Sequence, residues 1–192
     1  VVLRYDLYSP DEGGAYPVIL LRTPYGKQFV SNDPIFSDFE RYTKEGYHVA
    51  VMDCRGTGES DGILRCNGDN EYLDGYDSVE WIAAQTFCNG HVGMCGLSYN
   101  GFDQMAAAVT APPHLDVICP FMTQVLPPYG MSIRQTIGSY HLFWVYGQLL
   151  RELDKHIPDK QQREALEPVL RAHFATLSED SFQLPMNQNP AA

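Results

Sequence analysis

A serine attacks a carbonyl efficiently only when its hydroxyl is held exposed and is activated by neighbouring groups. One serine of this chain stands in a setting suited to that. The stretch His91-Val92-Gly93-Met94-Cys95-Gly96-Leu97-Ser98-Tyr99-Asn100-Gly101 reads as a short apolar strand running straight into a small-residue helix, Gln104 to Val109. Such a junction forces a sharp turn, and the residue at its apex is strained and exposed. Gly96 and Gly101 let the two backbones approach without a Cβ between them. Ser98 is therefore expected at the apex, outside the carboxyl edge of a sheet, with the helix dipole behind it. A surface serine in an ordinary βα turn would share the G-x-S pattern alone. The strand before it and the helix after it favour a nucleophile.

A serine nucleophile also needs donors for the oxyanion, a base and an orienting carboxylate. One expected donor is the backbone N–H of Tyr99, directly after Ser98 and at a helix N-terminus. In an elbow of this kind the other comes from the turn after the strand that carries Val18–Leu21. Here that turn is Thr23-Pro24-Tyr25-Gly26, without the H-G-G-G run that can supply a backbone donor. Tyr25 stands there instead. Its phenol can donate, or the ring can simply pack in the turn.

Other candidate chemistry is weaker. The spacing Cys88-x-x-His91-x-x-x-Cys95 could suggest a metal, but two of the three lie in a strand and no fourth ligand is evident, so no metal is expected. The glycines of Cys54-Arg55-Gly56-Thr57-Gly58-Glu59-Ser60-Asp61-Gly62 fit neither phosphate-loop pattern. Glu59 and Asp61 would repel phosphate, and no helix is predicted to begin there. Arg55 reads as a structural ion-pair partner, and no cofactor is expected.

The elements that must position Ser98 follow from periodicity. Residues 2–8 alternate and lead into a turn cluster, Ser9 to Gly14, predicting a strand and a hairpin loop. Pro17–Arg22 and Tyr47–Met52 are continuous apolar strands of the kind buried on both faces. Asp33-Pro34 predicts a helix start, with Ile35, Phe36, Phe39 and Tyr42 on one face and Gly46 closing it. A further helix is expected from Asn70 to about Thr86, presenting Tyr72, Leu73, Tyr76, Val79, Ile82 and Ala83. Leu115–Pro120 is a last short strand, and Cys95 and Cys119 read as small buried hydrophobes in strands. Strand–helix alternation through residue 120 argues an α/β fold with a parallel sheet covered on both faces. From 121 to 192 the pattern is helical: an apolar, aromatic-rich helix over 131–153, then one from Pro158 interrupted near Pro168, then a polar tail from 178. This segment is expected to begin a cap, with Tyr140, Phe143 and Trp144 either lining a pocket or packing.

Composition limits the partners. Among 192 residues, 44% are hydrophobic and 19% charged, as in a globular protein. Thirteen basic against 24 acidic residues give a net charge of −11, which opposes nucleic acid and anionic membranes. No apolar run approaches the ~18 residues needed to span a bilayer. Five cysteines, an odd count without framework spacing, favour a reducing compartment, hence a cytoplasmic placement. The opening Val1-Val2-Leu3-Arg4 has no initiator Met and reads as the middle of something longer. The oligomeric state is not legible.

Four runs together carry a resemblance: Thr23-Pro24-Tyr25-Gly26-Lys27, Asp53 to Gly62, Tyr76 to Trp81, and Cys88 to Gly101. Over roughly residues 1–120 the chain resembles the X-prolyl dipeptidyl-peptidase and cocaine-esterase-like serine hydrolases, relatives of amino-acid ester hydrolases and glutaryl acylases. The resemblance implies an α/β-hydrolase core over 1–120 and the start of a helical cap over 121–192. It implies Ser98 as nucleophile, with Tyr25 and the Tyr99 N–H sharing the oxyanion hole. The implied substrate is a small-molecule ester or a short peptide, cleaved through an acyl-enzyme without cofactor or metal. In that family the acid and the histidine follow later strands. Here His48, His91 and His114 lie at or before strand starts, away from Ser98, and His141, His156 and His173 lie in the cap. The chain is thus expected to be an incomplete piece of a hydrolase, with peptidase, esterase and acylase all open. The alternative is a non-catalytic module on the same fold.

Overall fold

The structure, a computed structural model, describes residues 1–32, 38–66, 68–123, 144, 147, 148 and 150–180. The chain divides into two compact units, Val1–Leu126 and Pro127–Ala192.

The first unit is built on five strands, β1 (Tyr5–Tyr8), β2 (Tyr16–Thr23), β3 (His48–Asp53), β4 (Cys88–Leu97) and β5 (Leu115–Phe121). Their order is β1-β3-β2-β4-β5. β1 runs antiparallel to β3, and the other neighbours are parallel. The apolar runs forecast this arrangement. Successive strand side chains point to opposite faces, and β2 and β3 are apolar on both. Leu20, Ala50 and Met52 face one way, into a cluster with Val79, Ile82, Val92, Met94 and Ala107. Leu21, Val49 and Val51 face the other, with Val30 and Phe39.

Helices cover the two faces: α1 (Lys27–Asn32) and α2 (Phe39–Lys44) supply Val30 and Phe39, while α3 (Asp69–Ala83) and α4 (Tyr99–Val109) supply Val79, Ile82 and Ala107. The chain leaves β2 for β3 on one side, and β4 then docks on the other. The carboxyl ends of β2 and β4 therefore meet at a switch point, where open α/β sheets place their sites.

Several expectations need correction. The segment before β2 does not form a hairpin with it. Both edges of β2 are taken by longer parallel partners, so β1 pairs with the outer edge of β3. A helix begins at Lys27, directly after the Tyr25 turn; the Asp33-Pro34 start itself lies outside the described residues. Phe39 and Tyr42 do pack inward. The face of α3 buries Glu71, Asp74 and Ser78 beside Val79 and Ile82, and leaves Leu73 exposed. Cys95 is half-buried and Cys119 exposed, because β5 is the outermost strand beside β4.

In the second unit, α5 (Leu153–His156) is followed by α6 (Lys160–Asp180), which continues through Pro168 instead of breaking there. Tyr140, Phe143 and most of the apolar helix expected over 131–153 lie outside the described residues, as does the tail from 181. Among the described residues no helix is long and apolar enough to cross a membrane.

Candidate active site

Ser98 stands between β4 and α4 with φ 60° and ψ −124°, a backbone conformation that non-glycine residues adopt only under constraint. The constraints are visible. Its N–H donates to the Phe121 carbonyl at 2.9 Å, while its own carbonyl accepts from Gly101 and Phe102 at 3.0 and 3.2 Å. The residue is thus strand on one side and helix on the other. Gly96 has φ 141°, and a Cβ there would come within 2.6 Å of Asn100 Cβ; one at Gly101 would come equally close to Thr123 Cβ. Gln104 holds the turn from behind. Its amide N–H donates to the carbonyls of Gly96 (3.1 Å) and Asn100 (2.9 Å), and its Oε1 accepts from Cys119 N–H at 2.9 Å.

The Ser98 hydroxyl does not cap α4. It lies 3.0 Å from the Tyr25 hydroxyl, which in turn accepts the Tyr99 N–H at 3.3 Å. The structure therefore brings all three expected site residues, Ser98, Tyr25 and Tyr99, to one point at the sheet's carboxyl edge. Tyr99 divides its roles. Its amide faces Tyr25, while its ring is buried (8% exposed) against Phe102, centroids 5.3 Å apart.

The turn that presents Tyr25 is braced by residues whose role was not evident from sequence. Tyr25 N–H donates to Thr23 Oγ1 at 3.1 Å. Asp53, at the end of β3, accepts the N–H of Lys27 on one carboxylate oxygen (2.6 Å) and that of Glu59 on the other (2.8 Å). The buried Lys27 ammonium pairs with Asp6 and Glu59 at 2.6 and 3.1 Å. The glycine-rich run from Asp53 is thus a support for the Tyr25 turn. Arg55 makes the expected structural pair, a fork onto Asp74 through Nε (2.8 Å) and Nη2 (2.5 Å).

Beneath the elbow lies a buried polar cluster that periodicity did not reveal. Arg22, fully buried on β2, donates to the Glu71 carboxylate at 2.9 Å and to its backbone carbonyl at 3.0 Å. Glu71 Oε1 accepts the Tyr99 hydroxyl at 3.2 Å. Asp103 Oδ2 accepts the Cys54 thiol at 3.2 Å. Burial works against the Arg22 charge, but Cys54, Glu71, Asp103 and Asp74 around it more than restore it. Burial first, then the Glu71 charge, holds the Asp103 carboxyl well above the usual range, and burial does the same to the Cys54 thiol. Donor atoms of Cys54, Glu71 and Asp103 lie within 4.8 Å of one another. The Arg22 guanidinium is already the cation on Glu71, so this set does not fit a metal.

The histidines of the first unit are elsewhere. His48 meets Ser9 Oγ at 3.0 Å, His91 meets Asp116 at 2.8 Å and His114 meets Glu80 at 2.8 Å. His48 opens β3, His91 is the fourth residue of β4 and His114 directly precedes β5. At ~3.3 Å per strand residue, His91 is on the order of 20 Å from Ser98.

The family model for X-Pro dipeptidyl-peptidase (S15 family) matches residues 1–180. The cocaine esterase of Rhodococcus sp. (strain MB1 Bresler) is 39% identical over 147 residues, covering 72% of this chain and 25% of that protein. A CocE/NonD family hydrolase from Staphylococcus aureus superposes with a TM-score of 0.68 at 25% identity, over 79% of this chain and 31% of its own. An alpha-amino acid ester hydrolase does so with 0.57 at 25% identity, over 64% and 23%. The chain thus spans about a quarter of the cocaine esterase it matches. Its sheet and helices share the α/β-hydrolase fold of these neighbours. From a family match over nearly the whole chain and an elbow of the required geometry, the chain belongs to the X-Pro dipeptidyl-peptidase (S15) family.

Proposed function

We propose that the protein is a serine hydrolase that cleaves an ester or amide through an acyl intermediate on Ser98. The observation that carries this is the meeting of three groups at the elbow: the Tyr25 hydroxyl lies 3.0 Å from Ser98 Oγ and accepts the Tyr99 N–H at 3.3 Å. A base takes the Ser98 proton as Oγ adds to the substrate carbonyl. Negative charge then develops on the carbonyl oxygen, where Tyr25 O–H and Tyr99 N–H donate to it; a single such donor is worth ~2.7–4 kcal/mol. Collapse expels the alcohol or amine, which takes that proton from the base; water then adds to the acyl carbonyl, gives its proton to the base, and the acid leaves as the base returns the proton to Ser98 Oγ. The base and its orienting carboxylate are assigned to the rest of the protein, beyond these 192 residues. Small esters and short peptides are the proposed substrates, since the relatives include a cocaine esterase and an Xaa-Pro dipeptidyl-peptidase family. No cofactor or metal is assigned a role. Five free thiols support placement in the reducing cytoplasm.

A fluorophosphonate probe on the full-length protein tests the reading. The adduct is expected on Ser98 by peptide mass mapping, and Ser98→Ala abolishes both labelling and turnover. Labelling that persists in Ser98→Ala rejects it.

A further inference from the structure

We propose that Glu71 is a positioning residue for the oxyanion hole: its carboxylate holds the Tyr99 phenol from below and so aims the Tyr99 amide at the reacting oxygen. This rests on the reading of Tyr99 N–H as an oxyanion donor.

The argument begins with the two ends of Tyr99. It is the first residue of α4, so its N–H points out of the helix end, where it donates to the Tyr25 hydroxyl at 3.3 Å. Its ring points the other way, into the protein, where Glu71 Oε1 takes its hydroxyl at 3.2 Å. A rotation of the first turn of α4 moves both ends together. Fixing the phenol therefore fixes the amide.

Glu71 is itself held rigidly. Arg22 grips it twice, Nη2 on the carboxylate at 2.9 Å and Nη1 on the backbone carbonyl at 3.0 Å, with both side chains at most 1% exposed. A guanidinium that binds one residue through two groups leaves its carboxylate little freedom. Arg22 also lies on β2, three residues before Tyr25. One buried ion pair therefore links the strand that delivers the Tyr25 hydroxyl to the side chain that anchors the Tyr99 amide. The two donors come from segments 74 residues apart, and the Arg22–Glu71 pair ties their supports together.

Charge supports the assignment. Glu71 is the carboxylate that Arg22 meets directly, Nη2 to Oε2 at 2.9 Å, while burial, then the Glu71 charge, pushes the Asp103 carboxyl above its ordinary value. A buried ion pair gains little stability over well-packed apolar residues. Its directional hydrogen bonds suit a donor that must be placed within a fraction of an ångström.

The test uses the full-length protein with p-nitrophenyl acetate as substrate and phenylboronic acid as inhibitor, which adds to Ser98 and places an anionic oxygen in the hole. Tyr99→Phe keeps the ring and removes the bond to Glu71. It is expected to lower kcat per active site, titrated by the acylation burst, about tenfold. The boronate inhibition constant rises by a similar factor, and KM stays within twofold. Glu71→Gln shifts the same parameters in the same direction, and the double variant is no worse than the poorer single one. If Glu71→Gln does not fold, Tyr99→Phe decides alone. A merely structural hydroxyl would lower the unfolding midpoint and leave kcat per titrated site and boronate affinity unchanged; that result overturns the proposal. Ser98→Ala separates the two readings: retained turnover there rejects the nucleophile, whereas an inactive Ser98→Ala with an unaltered Tyr99→Phe rejects only the role of Glu71.

Discussion

The Tyr25 hydroxyl lies 3.0 Å from Ser98 Oγ although 73 residues separate them in sequence. The parallel pairing of β2 with β4 accounts for this, because it sets the carboxyl ends of the two strands side by side. Tyr25→Phe keeps the ring and removes the donor. Turnover is expected to fall ~10²–10³-fold, with KM and the unfolding midpoint little changed. Steady-state kinetics beside a thermal melt check this, and an unaltered kcat would return Tyr25 to a packing role.

The elbow has no room at Gly96. Alanine there would meet Asn100 Cβ at 2.6 Å and would have to hold φ 141°. Strain and overpacking are each worth roughly 1–3 kcal/mol. Gly96→Ala should therefore lower both soluble yield and unfolding midpoint, and activity with them. A variant that melts with the parent would show that the turn relaxes more readily than its geometry implies.

Much of this was legible from the chain. The apolar runs of β2 and β3, the alternation of elements and the glycine-flanked Ser98 specify a parallel sheet with an elbow at its edge. Tyr25 followed from its place after β2. What escaped were the buried polar groups. Reading α3 by its apolar residues put Leu73 on the inner face, whereas the structure buries Glu71, Asp74 and Ser78 there. A periodicity of apolar residues cannot register a face whose partners are Arg22 and Arg55 on other segments. Asp53 was similarly hidden, since its value lies in accepting two backbone N–H groups, one 26 residues earlier and the other 6 residues later. The hairpin failed for a topological reason: nothing local to β1 says that β2 has no edge left for it.

Asp103 gives the fold a specific pH response. Its carboxyl titrates well above the ordinary value in the folded state, through burial and then the Glu71 charge. The folded protein thus keeps a proton that the unfolded chain sheds above about pH 4. Linkage then makes this residue's contribution to stability fall as pH rises from that point toward the folded pKa. Asp103→Asn carries no such titration. Its unfolding midpoint should match the parent near pH 4 and exceed it increasingly as pH rises from there. A gap independent of pH would mean that Asp103 ionises in the fold as readily as in the free chain.

Thiol reactivity should follow burial. Cys66 and Cys95 are each pushed up to about 11, chiefly by burial, and Cys54 is raised by the same cause. At pH 8 a thiol of that pKa is ~10⁻³ thiolate, against roughly a quarter for a free one. Iodoacetamide on the native protein should leave Cys54, Cys66 and Cys95 largely unmodified, and denaturant should open all three. Peptide mapping reads the result, and rapid native alkylation of Cys95 would contradict it.

The 60° φ at Ser98 sets the interests of the fold against those of the reaction at a single position. Glycine would occupy that backbone conformation without strain, so the substitution that best suits the turn also removes the proposed nucleophile. A screen that ranks variants by melting temperature alone would reward the loss of this serine. Thermostabilisation therefore has to be scored on turnover at every round, because the proposed nucleophile is also one of the least comfortable residues of the fold.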